Sequence, residues 1–445
     1  MRLYAGLMLL TCWLGWACQP PTPAPPVRGF AAPWTSPYRV DPARPHHLVN
    51  AEGQHLWLLN KTAWAYFACQ DPQQVLDKAR AQGVNVLRVA LEGRPYFEAL
   101  GYDLWPWGGS REQPDWATFD EGYWQELERR MRLAGENGIG LDLVLYFTLK
   151  PEAADTAAQR AYWDQAIRRL GPYANLLTWE IMNEYIANEA FQGACGRYFQ
   201  AHDPYDHPVC SSDGTTEDAL WPHKAWMDLA IVHTCTGQQA PYDLADWYLG
   251  IARNTRQYAK PAWNNESGRE QRHRNDDPVH RRKQAWLWTT AGAFWTWHSW
   301  EGCEGIDDAD YYGPGWEALR PMADFYQGLP FAELSPNYTV LTAEGTGLVQ
   351  TALATPDRRL VLLYLCTRPT GQAVSDGRLR VRVRDGRYRL RHRDPLTLQE
   401  VGADTLLSRS LREQQSLNLP AFTDDLLVQM ELIGAEAKSL IEGTQ

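Results

Sequence analysis

The 445-residue chain is 44% hydrophobic and 12% aromatic, and its net charge of −11 excludes a nucleic acid as the natural partner. Its 21 tryptophans exceed ordinary usage; most fill cores, and the surplus fits a sugar-binding cleft, because flat indoles stack on the apolar faces of pyranose rings. Eight cysteines without a Cys-x-x-Cys pair exclude the usual zinc spacings, and neither a metal nor another cofactor is expected.

Residues 1–18 read as a signal peptide: Arg2, an apolar run from Leu3 to Trp16, then Ala17-Cys18, too short to span a bilayer. Ala17-Cys18 resembles a bacterial lipoprotein cleavage site with Cys18 lipidated, although Gly15 and Trp16 depart from the usual pattern; ordinary secretory cleavage is the alternative. Both readings export the protein, to the cell envelope as a lipoprotein or to the periplasm or medium, with a membrane reached only through the lipid. Residues 19–47 are Pro- and Ala-rich and predict a semi-rigid tether. What remains, roughly 400 residues, is too long for one ordinary domain and predicts two.

Residues 56–59 predict a first strand, followed by a loop from Asn60 to Trp64. Asp71-Pro72-Gln73-Gln74 opens a helix, with Asp as N-cap, Pro in the first turn and Gln closing a capping box, and the helix stops near Gly83. Strands follow at 84–91, which carries Arg88, at 141–147, at 176–182, at 208–212, at 229–234, at 262–266 and at 293–297. Helices are predicted at 120–137, closed by Gly138, at 159–170, and from a cap at Asp277-Pro278. Eight strands alternating with helices predict an α/β (β/α)8 barrel over 48–333. From Leu334-Ser335-Pro336 the strands 348–354, 359–365, 379–383, 388–392 and 426–432 have no helices between them, and 334–445 predicts a small antiparallel β-sandwich. Asp385-Gly386 predicts a hairpin turn there.

The fourth strand, Leu176-Leu177-Thr178-Trp179-Glu180-Ile181-Met182, ends in Asn183-Glu184, and the seventh ends in Glu266. In a parallel barrel the carboxyl ends of the strands form the active face, so two glutamates on two strand ends are the pair a retaining glycosidase needs. Glu184 is the expected acid/base and Glu266 the expected nucleophile. Glu180 lies deeper on the same strand and reads as a buried, partnered carboxylate. Arg88 either keeps a catalytic carboxylate ionised or bridges to Glu180. Asn183 is placed to hydrogen-bond the sugar 2-hydroxyl. His233, ending the sixth strand, either touches the nucleophile or is satisfied structurally. Trp295 and Trp297 share a face of the eighth strand, one to floor the −1 subsite and the other to fill the barrel. Trp64, Trp105 and Trp107 lie after strands and either shape outer subsites or pack in the core. His202, Asp203, Asp206 and His207 look like ligands, but their Asp-Pro-Tyr-Asp-His-Pro setting is a turn at the opposite end of the barrel, against a metal there.

With these strands placed, the chain resembles the clan A retaining glycoside hydrolases, family 5-like, whose acid/base follows strand 4 in an Asn-Glu pair and whose nucleophile ends strand 7. It is most similar to the apiosidase-like glycoside hydrolase domain. Gly53 to Leu59 followed by Thr62-Ala63-Trp64 resembles that family's first strand; Phe119 to Trp124 and Trp179 to Tyr185 resemble later blocks. The resemblance implies a C-terminal β-domain of the putative collagen-binding type, to which Arg393-Asp394-Pro395 and the stretch Leu419 to Asp425 are similar. Where relatives carry Gly-Asp before Thr-Ala-Trp, this chain has Asn60-Lys61. Lys61 is then either a cation beside the sugar site, favouring an anionic glycan, or a lysine turned to solvent.

In the β-domain Arg378, Arg380, Arg382 and Arg384 alternate with Leu379, Val381 and Val383, and Arg387, Arg389, Arg391 and Arg393 continue beyond the turn. The alternation predicts a hairpin with one basic face, either solvated or meeting an anionic glycan or a membrane surface. The leading expectation is an exported, monomeric retaining glycosidase acting on a plant or microbial oligo- or polysaccharide. The alternative is a non-catalytic, glycan-binding surface lipoprotein on the same scaffold.

Overall fold

A computed structural model describes residues 34–93, 104–214, 218–234, 244–267, 277–298, 312–345, 347–408 and 414–434. The signal segment, with Cys18, lies outside the described residues. Eight parallel strands form a nearly closed barrel: β1 (Leu59–Thr62), β2 (Val86–Ala90), β3 (Gly140–Tyr146), β4 (Leu176–Met182), β5 (Val209–Cys210), β6 (Ala230–Thr234), β7 (Ala262–Ser267) and β8 (Phe294–Trp297). They pair in the order β5-β4-β3-β2-β1-β8-β7-β6. No ladder joins β5 to β6; at the foot of that seam the Asp228 N–H donates to the Val209 carbonyl, and the Asp228 carboxylate accepts the Val209 N–H, both at 2.8 Å.

The surrounding helices are α1 (Pro72–Ala81), α2 (Glu121–Glu136), α3 (Thr156–Leu170), α4 (Glu189–His202), α5 (Leu244–Arg256), α6 (Pro278–Thr290) and α7 (Leu319–Gln327). Their starts are locally encoded. Asp71, Asp120 and Asp277 each accept the N–H of the residue three positions on, and Pro72 and Pro278 sit in the first turn, where the missing N–H costs nothing. The alternation fails once. Between β5 and β6 the described residues form no helix: Trp221 is left-handed (φ 42°), Pro222 follows it, and the Leu220 N–H bonds to Ile231 instead.

Two sequence expectations are corrected at the foot of the barrel. The first strand is not the apolar run 56–59: His55–Leu56 pairs with Leu48–Val49 in a small antiparallel sheet, and β1 begins at Leu59, taking in Asn60 and Lys61. The interior of this barrel is partly polar, so hydrophobicity alone misplaces the strand. The tether also ends earlier than composition suggests. Trp34 is packed against Gly140, where any Cβ would lie 2.1 Å from the indole, and its Nε1 donates to the Gly138 carbonyl at 3.1 Å. Residues 34–47 thus belong to the barrel.

The C-terminal strands are β9 (Ser335–Pro336), β10 (Leu341–Glu344), β11 (Leu348–Ala354), β12 (Leu360–Thr367), β13 (Ala373–Val374), β14 (Arg378–Val381), β15 (Gly386–Arg393), β16 (Glu400–Ser408), β17 (Gln415–Asn418), β18 (Phe422–Thr423) and β19 (Asp425–Gly434). A six-stranded sheet, β9-β11-β12-β19-β15-β16, faces a three-stranded one, β10-β14-β17. Strand β12 is buried on both faces, which explains its unbroken apolar sequence. Val361, Leu363 and Leu365 enter the sandwich core, while Leu360, Leu362, Tyr364 and Cys366 join the barrel's core. Tyr364 stacks on Trp286 of α6 (5.9 Å, 12°), Arg282 forks onto Asp425 at 2.8 Å twice, and buried Lys283 donates to the carbonyls of Thr367 (2.9 Å) and Pro369 (3.1 Å).

The arginine hairpin is a further correction. β14 lies in the small sheet and β15 in the large one, so the chain crosses between sheets at 382–385 and the basic residues end on opposite outer faces. Leu379, Tyr388 and Leu390 meet in the core between them. Among the described residues four cysteines, Cys69, Cys195, Cys210 and Cys366, are buried thiols. No described helix is long and apolar enough to cross a membrane.

Candidate active site

The carboxyl ends of β2, β4, β6, β7 and β8 bring Arg88, Glu180, Asn183, Glu184, His233, Glu266 and His298 together. Each is placed by strand geometry. Strand β4 alternates, so Glu180 points into the barrel, fully buried. Strand β7 carries an extra residue opposite β6: Val232 pairs with Asn264, but His233 pairs with Glu266. This bulge turns Asn265 and Glu266 the same way, and both reach the central cluster.

Arg88 lies at its centre, buried beneath Trp64, whose ring is 4.4 Å from the guanidinium carbon. Its Nε and Nη2 fork onto Glu180 (2.7 and 2.5 Å), Nη1 donates to Glu266 Oε2 (2.8 Å), and Nη2 donates also to Asn183 Oδ1 (2.8 Å). The two roles that the sequence left open for Arg88 are therefore held by one side chain at once. Glu180 further accepts from Ser212 Oγ (2.7 Å) and Asn265 Nδ2 (3.0 Å), so its charge is fully compensated. Asp142 beside it is pushed well up by burial and by the Glu180 charge.

Glu184 occupies a left-handed position (φ 48°), a conformation costing about 1–2 kcal/mol for a residue with a Cβ. The turn is pinned on three sides. The Glu184 N–H donates to Ser212 Oγ (3.2 Å), the Tyr185 N–H donates to the Ser212 carbonyl (3.2 Å), and Lys150 Nζ donates to the Asn183 carbonyl (2.5 Å). The carboxylate then lies beside Gly214 and 3.1 Å from His233 Nδ1. The same nitrogen is 3.9 Å from Glu266 Oε2, while His298 Nε2 is 3.6 Å from Glu266 Oε1. One carboxylate oxygen each of Glu184 and Glu266 and a ring nitrogen of His233 lie within 4.8 Å of one another. Burial alone would push the Glu266 carboxyl up; the charges of His298, His233 and Arg88 overcome it and hold the group below the usual carboxylate range. Burial lowers His233, but the Glu266 charge and the hydrogen bond to Glu184 hold it above the ordinary histidine value.

Glu184, His233 and Glu266 are spaced to share a cation in principle. Arg88 already supplies the positive charge on Glu266, which opposes a divalent ion there. In the turn that looked like a ligand set, Asp203 accepts from Trp179 Nε1 and lies 2.8 Å from His207 Nδ1.

Several sequence assignments move. Trp295 and Trp297 do not face the carboxylates. Trp295 shares its row with Asn264, whose neighbour Thr234 bonds Gln284 of α6 at 2.7 Å, and Arg281 of α6 stacks 3.8 Å from the Trp297 ring. The intervening row looks inward: Thr296 accepts from Trp263 Nε1 at 2.9 Å, and His298 follows it. Alternation counted from Thr296 rather than from the tryptophans would have found His298. Trp64 is a buried support for Arg88, not an outer platform. Lys61 is neither beside the carboxylates nor turned to solvent: it is fully buried, with Nζ donating to the Thr62 carbonyl (2.9 Å) and 5.0 Å from the Tyr312 ring. Trp105 and Trp107 pack together at 4.9 Å, buried.

The family described as "Apiosidase-like, catalytic domain" matches residues 43–302. No curated protein matches the chain by sequence. Among solved structures, a glycoside hydrolase superposes with a TM-score of 0.68 at 15% identity, over 91% of this chain and 98% of that one. A family 5 glycoside hydrolase from Bacteroides vulgatus ATCC 8482 gives 0.67 at 16% identity, over 94% and 97%. A putative glycoside hydrolase from the same organism gives 0.66 at 15%, over 91% and 84%. At these identities the likeness speaks for the fold.

Proposed function

The chain belongs to the apiosidase-like catalytic domain family, and on that premise we propose that it hydrolyses glycosidic bonds with retention, Glu266 being the nucleophile and Glu184 the acid/base. The observation that supports this reading is the closeness of the two carboxylates, one oxygen of each lying within 4.8 Å of the other. Retaining enzymes hold their pair roughly 5–5.5 Å apart, whereas inverting enzymes leave roughly 6.5–9.5 Å for a water.

The surroundings support this division of roles. Glu266 is kept anionic by Arg88, His233 and His298, as an attacking carboxylate must be. Glu184 stands higher and partly open to solvent, where it can reach a leaving group and later a water. Attack by Glu266 on the anomeric carbon breaks the glycosidic C–O bond as Glu184 gives its proton to the departing oxygen. Esterification then neutralises Glu266, and Glu184 takes a proton from the water that displaces it. Arg88 fixes the Asn183 amide through Oδ1, leaving Nδ2 without a partner among the described residues and available to the sugar 2-hydroxyl. We read the substrate as a plant or microbial glycan, met outside the cytoplasm if the leader acts as its sequence suggests.

The test has two steps. A polysaccharide screen with product chromatography identifies the sugar, and aryl glycosides of that sugar then probe the pair. Glu266→Ala is expected to be inactive on all of them. Glu184→Ala is expected to keep activity on glycosides with activated leaving groups and to be accelerated by azide. A Glu184→Ala variant equally dead on an activated aryl glycoside with azide present removes the assignment.

A further inference from the structure

At the end of the barrel opposite the glutamates lies a cavity of about 410 Å³, where three parts of the chain converge. Arg44, His46 and His47 come from the N-terminal strap, Arg256 from the last turn of α5, and residues 332–335 from the link to the sandwich, with Pro356 of the sandwich closing it. Four basic groups face one acidic group, Glu333.

These charges are poorly matched by the protein. Arg256 spends its Nε on the Gly292 carbonyl (2.9 Å), and no carboxylate among the described residues pairs with it. Arg44 reaches only Asp41, at 4.0 Å, and Asp41 already takes His55 Nε2 at 2.7 Å. Glu333 makes no ion pair with either arginine among the described residues. His47 is 5% exposed, and its Nδ1 finds no hydrogen bond among the described residues. We propose that this cavity binds a small oxyanion against the Arg44 and Arg256 guanidinium groups: an inorganic sulfate or phosphate, or the acid group of a sugar.

The electrostatics agree. Burial lowers Arg256 to about 10, and burial followed by the Arg256, His55, His46 and Arg44 charges lowers His47 to about 3. An anion supplies the counter-charge that the buried Arg256 guanidinium lacks, and a guanidinium fork matches pairs of its oxygens. By touching strap, barrel and sandwich link at once, it would fasten three segments together. The site is independent of the glycosidase reading.

The test titrates the full-length chain with sodium sulfate and sodium phosphate, against sodium chloride of equal ionic strength, by calorimetry and thermal shift. A saturable one-site response to sulfate or phosphate is expected. Arg256→Met should weaken it at least tenfold. Arg44→Met, on a half-exposed side chain, should weaken it severalfold. Selenate soaked into crystals should appear between the two arginines. Competition by glucuronate would assign the anion to a glycan, and no competition would assign it to the inorganic pool. Unchanged sulfate affinity in both variants, or selenate found only at the barrel mouth near Arg88 and His233, overturns the proposal.

Discussion

The Glu184 carboxylate fills the space where a Gly214 side chain would stand: a Cβ built on Gly214 would lie 2.2 Å from Oε1 and 2.5 Å from Cδ. The clash falls on the end of a flexible side chain, so the fold can absorb it, but the Glu184 carboxylate must move. Gly214→Ala is therefore expected to lower kcat/KM by ~10²-fold on glycosides with poor leaving groups, the usual worth of a general acid. Activated aryl glycosides should be affected far less, and stability should change by no more than about 1 kcal/mol. Equal losses on both substrate types would mean that Gly214 matters for something other than Glu184.

His233 links the site to pH. Its folded value is raised, so the stability it contributes is complete below the unfolded value, about 6.5, and is lost as pH rises through the folded value. The unfolding free energy of the native chain should fall as pH rises above about 6.5, and His233→Gln should flatten that slope. Glu266 acts in the opposite sense: its depressed value adds stability above the unfolded carboxylate value, about 4.3, which is lost only in acid. Denaturant melts across pH 3 to 9 would check both limbs.

Arg88 compensates two buried carboxylates, so its loss strands both. Arg88→Met is expected to cost about 3–5 kcal/mol in urea unfolding, the usual penalty for breaking a buried pair from one side. Arg88→Met with Glu180→Gln should recover part of that stability and none of the activity, since Glu266 still lacks its partner. Full recovery of turnover in the double variant would deny Arg88 its part in keeping the nucleophile ionised.

Ending the chain before Ser335 would bare Trp286, Arg282 and Lys283 of α6, all covered by the sandwich. The truncated barrel is expected to aggregate rather than to fold with altered specificity. A soluble, folded truncation that has lost binding to polymeric glycan would instead make the sandwich a recognition module.

For the leader, Cys18→Ser is expected to move the protein from the membrane fraction to the soluble fraction. Membrane association unchanged in that variant would reject the lipid anchor.

The strand end at Glu184 could be read from sequence because β4 is a strand-like run that stops at Asn183-Glu184, a local signal, and Glu266 from the short Ala262-Trp263 run that turns polar before it. What lay beyond the sequence was non-local. Lys61 and Asn60 look like loop residues until β8 and β2 are seen on either side of them. Arg378 and Arg389 look like one basic face until their strands are found in different sheets. Trp297 and His298 differ by one position, and only the direction of the β8 pleat says which of them meets the nucleophile.

The unpaired seam between β5 and β6 gives Glu184 a second office. An eight-stranded ring owes its stiffness to an unbroken circuit of main-chain bonds, and here the circuit is cut. Asp228 closes the gap at the foot; at the rim the closure is made by Glu184, whose amide is held by Ser212 from one wall and whose carboxylate meets His233 from the other. The proposed acid/base is thus also the clasp of the barrel, and a change in its charge acts on a contact that holds the two walls together.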